Sequence, residues 1–285
     1  MKILLIGRNG QIGTEVDKLA RLKKYEIKSP SHEELDITQP SKLKIALDDF
    51  RPEIIINTAA YHVVSECEQY PQKAFEVNAI AVRNLATLCN EKKIKLVHFS
   101  TSWVFDGYQQ QPYSENDICN PVQTYGLSKL AGEIFSLNYN PHTTIIRTCG
   151  VFGGTRGSRS KKGNFILNIL KEARTKRNLE ISSEQTTNIT NAQDVALGTL
   201  QLLEKKAKNG IYHLTNSGNC SWADIAKKIV ELKKLKLKII PVDRKGEFKE
   251  VKIPLNSSLK NEKAEKLGII LPSWENSLKR YLKLL

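Results

Sequence analysis

Short apolar runs alternate with segments of helical periodicity over the first 150 residues of the chain. Apolar runs of about five residues are typical of strands buried on both faces of a parallel sheet. Segments in which apolar residues recur every three or four positions predict helices between those strands. The predicted strands are 2–6, 25–28, 53–57, 95–99 and 143–147, and the predicted helices are 14–22, 40–50, 72–91 and one that begins near 124. This alternation predicts an α/β fold with a doubly wound parallel sheet.

The second half of the chain has a mixed order of elements. Ser221 and Asp224 have the spacing of a capping box before a helix. We predict that a domain of residues 1–148, completed by parts of 188–217, interleaves with a smaller domain of residues 149–285. The predicted elements of the second half are helices at 164–175, 194–206 and 225–232 and a strand at 210–214.

A glycine-rich loop directly follows the first predicted strand. Gly7, Gly10 and Gly13 recur at three-residue spacing between that strand and the first predicted helix. Glycines in this context allow a tight turn and a close backbone approach, and the free amides of the helix then point at a pyrophosphate. The context favours a dinucleotide site over a merely structural turn. Residues 1–148 are therefore predicted to be a dinucleotide-binding Rossmann domain.

The residues around the second predicted strand bear on the choice of cofactor. No carboxylate stands at the end of 25–28, where an NAD-preferring site would hold the ribose hydroxyls. Arg8 lies in the glycine loop and could reach a 2′-phosphate, although a solvated loop arginine would look the same. The sequence therefore favours NADP(H), with NAD(H) as the alternative.

A tyrosine and a lysine are spaced one helical turn apart near residue 125. Tyr125 and Lys129 share a helix face. An ammonium lowers the pKa of a nearby acid by roughly 1 to 3 units, so we expect Tyr125 to exchange a proton with a carbonyl or alcohol near neutral pH. Two solvated residues would have the same spacing. Thr101 follows the strand at 95–99, where its hydroxyl could bind a substrate carbonyl or cap a turn.

The formal net charge of +14 raises the question of an anionic partner. Lysines in the later segments alternate with leucine and isoleucine at helical spacing, as expected of solvated helix faces. No nucleic-acid recognition motif or aromatic stacking platform accompanies them, so no nucleic-acid partner is predicted. A positive field would still favour a diphosphate-bearing substrate. The basic segments are 156–162, 171–177, 205–208, 227–238 and 260–283.

The sequence shows no membrane-spanning segment, no signal pattern and no metal-binding motif. No apolar run approaches the ~18 residues needed to cross a bilayer, and the amino terminus shows no cleavable signal pattern. We therefore expect a cytoplasmic protein without a membrane partner. The five cysteines are widely spaced and include no Cys-x-x-Cys pair, and the five histidines are scattered. Neither a disulfide framework nor a metal site is predicted.

Further motifs accompany these features in order along nearly the whole chain. They are Asn57-Thr58-Ala59-Ala60-Tyr61, Val77-Asn78, Ser100-Thr101-x-x-Val104-Phe105-Asp106-Gly107, Pro112-Tyr113-x-Glu115, Tyr125-Gly126-x-Ser128-Lys129-Leu130-x-Gly132-Glu133, Arg147-Thr148, Asn256-Ser257-Ser258-Leu259 and Leu271-Pro272-Ser273-Trp274-Glu275. Together with the glycine loop they resemble extended short-chain dehydrogenases/reductases, and more narrowly the dTDP-4-dehydrorhamnose reductase family.

The resemblance implies a reductase that passes hydride from NAD(P)H to the C4 keto group of a nucleotide-linked deoxysugar, in a pathway that feeds surface polysaccharide. It implies that Tyr125 donates the proton, that Lys129 depresses the pKa of Tyr125 and holds the nicotinamide ribose, and that Thr101 hydrogen-bonds the carbonyl oxygen. The implied cofactor residues are Gly7, Gly10, Gln11, Ile12 and Gly13 at the pyrophosphate, Asp36 and Ile37 at the adenine end, and Ala59, Ala60 and Tyr61 in the middle.

The departures from the family pattern cluster where the sugar is expected. Ser102 replaces an acid and Trp103 replaces a phenol in the family's Ser-Thr-Asp-Tyr motif. Gly150 stands where many members carry a tryptophan, and Ser65 stands for an aspartate. The segment 184–190 keeps only part of the family's Asp-Gln-x-Gly-x-Pro-Thr. We therefore expect Ser102, Trp103 and Gly150 at the substrate, with Trp103 as the candidate for the missing stacking role.

Two other functions fit the same residues. An NAD-retaining nucleotide-sugar epimerase would use the same tyrosine and lysine, and net consumption of NAD(P)H separates the two reactions. A non-catalytic NADP-binding subunit, like the regulatory β subunit of methionine adenosyltransferase, would also resemble this family. Retention of Thr101, Tyr125 and Lys129 together argues against that alternative. A homodimer is one assembly compatible with the sequence.

Overall fold

The computed structural model describes residues 1–154, 163–243 and 251–285. The basic segment 156–162 lies outside the described residues. Within the described ranges, no helix combines the length and apolar character needed to span a bilayer.

The strands form one large parallel sheet and three short pairs. Six strands lie in the order β10-β5-β4-β3-β1-β2, and every neighbouring pair in that sheet is parallel. The strand order reverses at β1 and β3, as in doubly wound sheets. The strands are β1 Lys2–Ile6, β2 Glu26–Lys28, β3 Ile54–Asn57, β4 Lys95–Thr101, β5 Thr143–Thr148, β6 Val151–Phe152, β7 Asn178–Ser182, β8 Thr186–Thr187, β9 Thr190–Asn191, β10 Gly210–His213, β11 Cys220–Ser221 and β12 Lys238–Val242.

The helices alternate with the strands of the large sheet and then fill the second half of the chain. A π-helical stretch, Glu76–Ile80, connects two of them, and a 3₁₀ turn covers Ser102–Val104. The α-helices are α1 Gln11–Leu22, α2 Pro40–Phe50, α3 Val64–Gln69, α4 Pro71–Phe75, α5 Ala81–Glu91, α6 Thr124–Tyr139, α7 Phe165–Glu172, α8 Ala192–Glu204, α9 Trp222–Lys233, α10 Glu262–Lys266 and α11 Trp274–Leu282.

Alternation along β1 explains why helices cover both faces of the sheet. Ile3 and Leu5 are fully buried in one core together with residues of α1 and α8. Leu4 and Ile6 lie in a second core with residues of α2 and α5. Successive side chains of a strand point to opposite faces, so a continuous apolar run requires a helical layer on each side. The predicted fold class is confirmed.

The second half of the chain builds a separate core and also returns to the large sheet. Helices α7, α9 and α11 pack with the parallel pair of β7 and β12 around Ile169, Ile229 and Leu278. Strand β10 nevertheless pairs with β5 at the edge of the large sheet. Helix α8 packs on that sheet as well. The chain therefore crosses between the two cores, while the division at residue 148 stays a prediction.

The helix predicted over 72–91 is broken by the π-helical stretch Glu76–Ile80. Asn78 in this stretch is buried, and its amide is used by three partners: Nδ2 donates to Tyr61 O and Ser128 Oγ, and Oδ1 accepts from Tyr61 N. The Gly132 Cβ position lies only 2.1 Å from Asn78 O, so α6 approaches this stretch at backbone contact. π-Bulges often occur at functional sites, and this one ties the loop after β3 to α6.

Candidate active site

The carboxyl ends of β1, β3, β4 and β5 open onto one cleft of about 420 Å³. Ligands of doubly wound sheets bind at this edge, beside the reversal of strand order. Most of the predicted site residues line the cleft, and they come from five separate parts of the chain. They are Gly10, Gln11, Ile12, Gly13, Ala60, Thr101, Trp103, Tyr125, Lys129 and Gly150.

The glycine loop has the geometry of a pyrophosphate cradle. Gly7 adopts φ +89°, and a Cβ at Gly13 would lie 2.2 Å from Gly7 O. Helix α1 begins after Gly10 without a side-chain cap, so its first amides have no side-chain acceptor from that residue. Free amides at a helix amino terminus attract phosphate groups. The residues present therefore fit the pyrophosphate of a dinucleotide.

Helix α1 begins at Gln11, three residues earlier than predicted, so Gln11, Ile12 and Gly13 belong to it. Gln11 Nε2 donates to Val151 O at 3.1 Å, and Gln11 Oε1 accepts from Asn164 Nδ2 at 3.4 Å. Gln11 thus joins the glycine loop to the second half of the chain.

Tyr125 lies at the start of α6, and its phenol shares a hydrogen bond with the Thr101 side chain at the end of β4. Burial raises the pKa of Tyr125 to about 12, and the Thr101 hydrogen bond opposes this shift only in part. The expectation that Lys129 holds the pKa of Tyr125 below its usual value is wrong for this structure. Burial disfavours the phenolate more than the surroundings stabilise it.

Lys129 is almost fully buried at 2% exposure. Nζ donates to Phe99 O at 2.6 Å and lies 3.3 Å from His98 Nε2. Burial lowers the pKa of Lys129 to about 8, and the Glu133 carboxylate opposes that shift. The sequence predicted a lysine facing the cleft, but it gave no sign that the ammonium would lose so much of its solvation.

Two of the residues that depart from the family pattern line the cleft, and two do not. Trp103 lines the cleft with its ring edge-on to Tyr125, at 6.3 Å between centroids and 71° between planes. Gly150 lines it with φ +53°, a conformation that disfavours a bulky side chain. Ser102 is fully buried behind the cleft beside Cys149, and Ser65 is exposed on α3. Of these four, Trp103 and Gly150 line the cleft.

The remaining predicted cofactor residues lie around the cleft rather than in its lining. Ile37 is buried in the core of α2 and α5, so only its backbone is available to an adenine. Asp36 Oδ1 accepts from Thr38 N and Oγ1, both at 2.9 Å. Ala59 packs against the same core, and Tyr61 is held by Asn78. The roles of these residues stay predictions.

Arg8 lines a second depression, beyond the end of β2. Its Nη1 donates to Ser29 O at 2.9 Å. Lys28 and Lys42 line the same depression, and Glu34 and Asp49 face it. The position agrees with the expectation that Arg8 lies near the ribose end of the second strand, and cationic neighbours favour an anionic group there.

The cleft residues that the sequence did not predict include His62, Phe165 and Trp222. His62 follows the Tyr61 motif directly and could have been found from its place after β3. The rings of Phe165 and Trp222 contact each other at 4.8 Å between centroids and 56° between planes, yet they are 57 positions apart on different helices and no local pattern joins them. Among the residues that the structure describes, no group of three or more histidine, cysteine or carboxylate side chains is arranged to hold a metal.

A family model described as the RmlD substrate binding domain matches residues 1–285. The chain belongs to this RmlD family. The Bacillus subtilis spore coat polysaccharide biosynthesis protein SpsK is 32% identical over 99% of this chain and 97% of its own length. The dTDP-4-dehydrorhamnose reductase of Sinorhizobium fredii is 32% identical over 98% of this chain and 96% of its own.

A solved structure extends the likeness to three dimensions. The crystal structure of Bacillus anthracis dTDP-4-dehydrorhamnose reductase in complex with NADP superimposes with a TM-score of 0.93, at 29% identity over 100% of both chains. Membership of the RmlD family confirms the recognised resemblance and the assignment to NAD(P)-dependent sugar-nucleotide reductases.

Proposed function

We propose that this RmlD-family protein reduces the C4 keto group of a nucleotide-linked deoxysugar with NAD(P)H, and that Tyr125 is the proton donor. The observation that carries the proposal is the placement of Tyr125. Its phenol is hydrogen-bonded to Thr101 in the same cleft that begins at the uncapped amino terminus of α1. A hydride donor and a proton donor then meet at one place.

The raised pKa of Tyr125 suits the reductive direction. A phenol with a pKa of about 12 is fully protonated near neutral pH, which is the state that a proton donor needs. As the carbonyl carbon accepts hydride, negative charge develops on its oxygen, and the phenol O–H bond breaks toward that oxygen. The Thr101 hydroxyl donates a second hydrogen bond to the same oxygen.

The cofactor, when bound, supplies the hydride to the carbonyl carbon. On the side of the protein, the α1 amides hold the pyrophosphate and Lys129 binds the nicotinamide ribose. Arg8 binds a 2′-phosphate, which makes NADP(H) the preferred cofactor. The NADP complex of the Bacillus anthracis relative supports this preference.

We propose that the reduced sugar is used in the biosynthesis of surface polysaccharide. A Bacillus subtilis relative is named for spore coat polysaccharide biosynthesis. Trp103 and Gly150 replace the usual family residues in the cleft, so the sugar and the base of the substrate need direct measurement. Trp103 stands where a planar side chain can stack on the substrate.

The decisive experiment incubates the protein with NADPH and a panel of 4-keto nucleotide sugars, and follows the loss of nicotinamide absorbance and the reduced sugar. Stoichiometric oxidation of NADPH supports reduction, whereas a changed sugar without net oxidation indicates an epimerase. Absence of turnover with every substrate would leave a binding protein.

Tyr125→Phe is the matched variant for this assay. Positioned acid–base groups contribute about 100- to 10,000-fold, so kcat should fall by that factor while the affinity for NADPH stays nearly unchanged. Turnover within threefold of the wild-type rate would remove Tyr125 from the mechanism.

A further inference from the structure

Three buried polar side chains from different elements meet beneath the cleft. Asn57 ends β3, His98 lies in β4 and Lys129 lies in α6, and their exposures are 0%, 0% and 2%. The reaction proposed above uses only Lys129. Buried polar groups are normally satisfied by matched donors and acceptors, so the pairing within this cluster decides which protonation states it allows.

The amide of Asn57 has a fixed orientation. Asn57 Oδ1 accepts from Ala59 N at 3.1 Å, which leaves Nδ2 to face His98 Nδ1 at 3.1 Å. An amide nitrogen only donates, so the hydrogen-bond network assigns Nδ1 as an acceptor without a proton. A neutral His98 must then carry its proton on Nε2.

This tautomer presents an N–H to Lys129. Lys129 Nζ lies 3.3 Å from His98 Nε2 and 2.6 Å from Phe99 O. An ammonium has three donors and no acceptor. The charged form of Lys129 would therefore point an N–H at the Nε2–H of His98, and two donors cannot hydrogen-bond to each other. A neutral amine satisfies both contacts, because its lone pair accepts from Nε2–H while it donates to Phe99 O.

The ionisable groups around the cluster leave this pairing in place. Glu133, one turn along α6, favours the ammonium, but Arg147 from β5 already pairs with that carboxylate at 2.6 Å. Burial holds the pKa of His98 well below its ordinary value, and Lys129 adds to this effect whenever it carries a charge, so imidazolium does not form. Tyr125 is protonated. Asn57 and, from the π-helical stretch, Asn78 are neutral.

We propose that Asn57 and His98 are positioning residues that weaken proton binding by Lys129 in the cofactor-free protein, and that Lys129 binds its proton more tightly when the ribose hydroxyls of the cofactor offer it acceptors. The identity of that ligand rests on the proposed function; the protonation state of the free protein does not. Cofactor binding is then linked to proton uptake.

Nuclear magnetic resonance of the free, full-length protein tests the first part directly. With ¹⁵N-labelled histidine, His98 Nδ1 should resonate as an unprotonated ring nitrogen. With ¹³C-labelled lysine, Lys129 should titrate near pH 8, well below the ordinary lysine value of about 10.4. A proton on Nδ1, or a Lys129 that titrates with the surface lysines, overturns the proposal even if the protein reduces nucleotide sugars.

Calorimetric titration with NADPH, in buffers of different ionisation enthalpy, tests the second part. Below pH 8 Lys129 is already charged and binding takes up little proton. Above pH 8 the uptake should approach one proton, and Kd should rise about tenfold per pH unit until the pKa of the bound form is reached. Binding without proton uptake between pH 7 and 10 overturns the linkage.

Asn57→Asp reverses the hydrogen bond that fixes the tautomer. The carboxylate accepts from Nδ1–H, which frees Nε2 to accept from the Lys129 ammonium. The pKa of Lys129 should rise by roughly one unit or more, and proton uptake near pH 8.5 should fall about threefold or more. An unchanged Lys129 titration would show that Asn57 does not set the protonation state.

Asn140→Asp is the matched control for an added buried carboxylate. Asn140 is fully buried, but its Nδ2 donates to Ile94 O at the opposite edge of the sheet. This variant should keep the wild-type proton uptake on NADPH binding. Loss of uptake in both variants would attribute the effect to general destabilisation and reject the role of Asn57. The wild-type measurements decide the proposal if either variant fails to fold.

Discussion

Arg147 Nη2 lies 2.6 Å from Glu133 Oε2, and the two side chains are only 3% and 2% exposed. Arg147 Nε also donates to both carboxylate oxygens of Glu133, so the contact between β5 and α6 is a chelated ion pair. Glu133 raises the pKa of Arg147 against the opposing effect of burial. Removing one partner of such a pair leaves an uncompensated buried charge.

Glu133→Gln should therefore lower the free energy of unfolding by about 3 to 5 kcal/mol in urea denaturation. Glu231→Gln is its control, because Glu231 pairs with Lys228 on the surface at 2.8 Å and 64% exposure. Exposed pairs contribute about 0 to 1 kcal/mol, so the control should unfold near the wild-type urea concentration. Equal losses in the two variants would contradict the importance of burial.

Two glycine variants separate packing from cofactor contact. The Cβ of Gly13→Ala would lie 2.2 Å from Gly7 O, whereas that of Gly10→Ala would lie 3.4 Å from the same oxygen. We expect Gly13→Ala to lose about 1 to 3 kcal/mol of stability and Gly10→Ala to lose little. If the pyrophosphate rests against Gly10, Gly10→Ala still weakens NADPH binding. Thermal unfolding and NADPH titration of both variants check this, and an undisturbed Gly13→Ala would contradict it.

Arg8→Ala tests the choice between the two cofactors. If the guanidinium binds a 2′-phosphate, the variant should weaken NADPH more than NADH, by about tenfold or more, because a charge-assisted contact is lost for only one of them. Arg83→Ala is the control, since Arg83 lies over the Tyr139 ring at 4.5 Å and does not line that depression. Fluorescence titration with each cofactor gives the ratio of affinities. Equal losses for both cofactors would reject the role of Arg8.

Acid stability should depend on His213. Burial, with help from the charge of Arg147, lowers the pKa of His213 to about 3. Between pH 6.5 and 3 the unfolded chain binds a proton that the folded protein excludes, so stability is full above pH 6.5 and declines as pH falls, by up to about 1.4 kcal/mol per pH unit.

His213→Gln should reduce the slope of stability against pH by up to the contribution of one proton, about 1.4 kcal/mol per pH unit. Urea unfolding at pH 7, 6 and 5 measures the slope, with His32→Gln as the control because His32 is exposed. An unaltered slope in His213→Gln would show that other groups govern acid unfolding.

Local patterns predicted the doubly wound sheet because its strands and helices are each defined by their own residues. Helix Pro40–Phe50 has the predicted bounds, and the Ser221–Asp224 capping box forms as expected, with Asp224 Oδ2 accepting from Ser221 N at 3.1 Å. The π-helical stretch at Glu76–Ile80 was not predicted, because it depends on Asn78 reaching Tyr61 and Ser128 from another part of the chain.

In the candidate site, too, local patterns predicted some features, whereas others depend on contacts between distant parts of the chain. Motif spacing located the glycine loop, Thr101, Tyr125 and Lys129, which the structure brings to one cleft. The direction of the pKa of Tyr125 was predicted wrongly, because spacing reports the neighbour but not the loss of solvent. In the sequence His98 is one of five scattered histidines, and no motif includes it. Only the folded chain places its Nε2 3.3 Å from Lys129 Nζ.

The contact between Gly132 and Asn78 has an evolutionary consequence. Helix α6 carries Tyr125 and Lys129 at a depth fixed by a carbonyl oxygen 2.1 Å from the missing side chain of Gly132. A lineage that acquired alanine at 132 would push Tyr125 out of register with β4 unless the bulge at 76–80 were rebuilt. Position 132 should therefore stay glycine for as long as the bulge at 76–80 is kept.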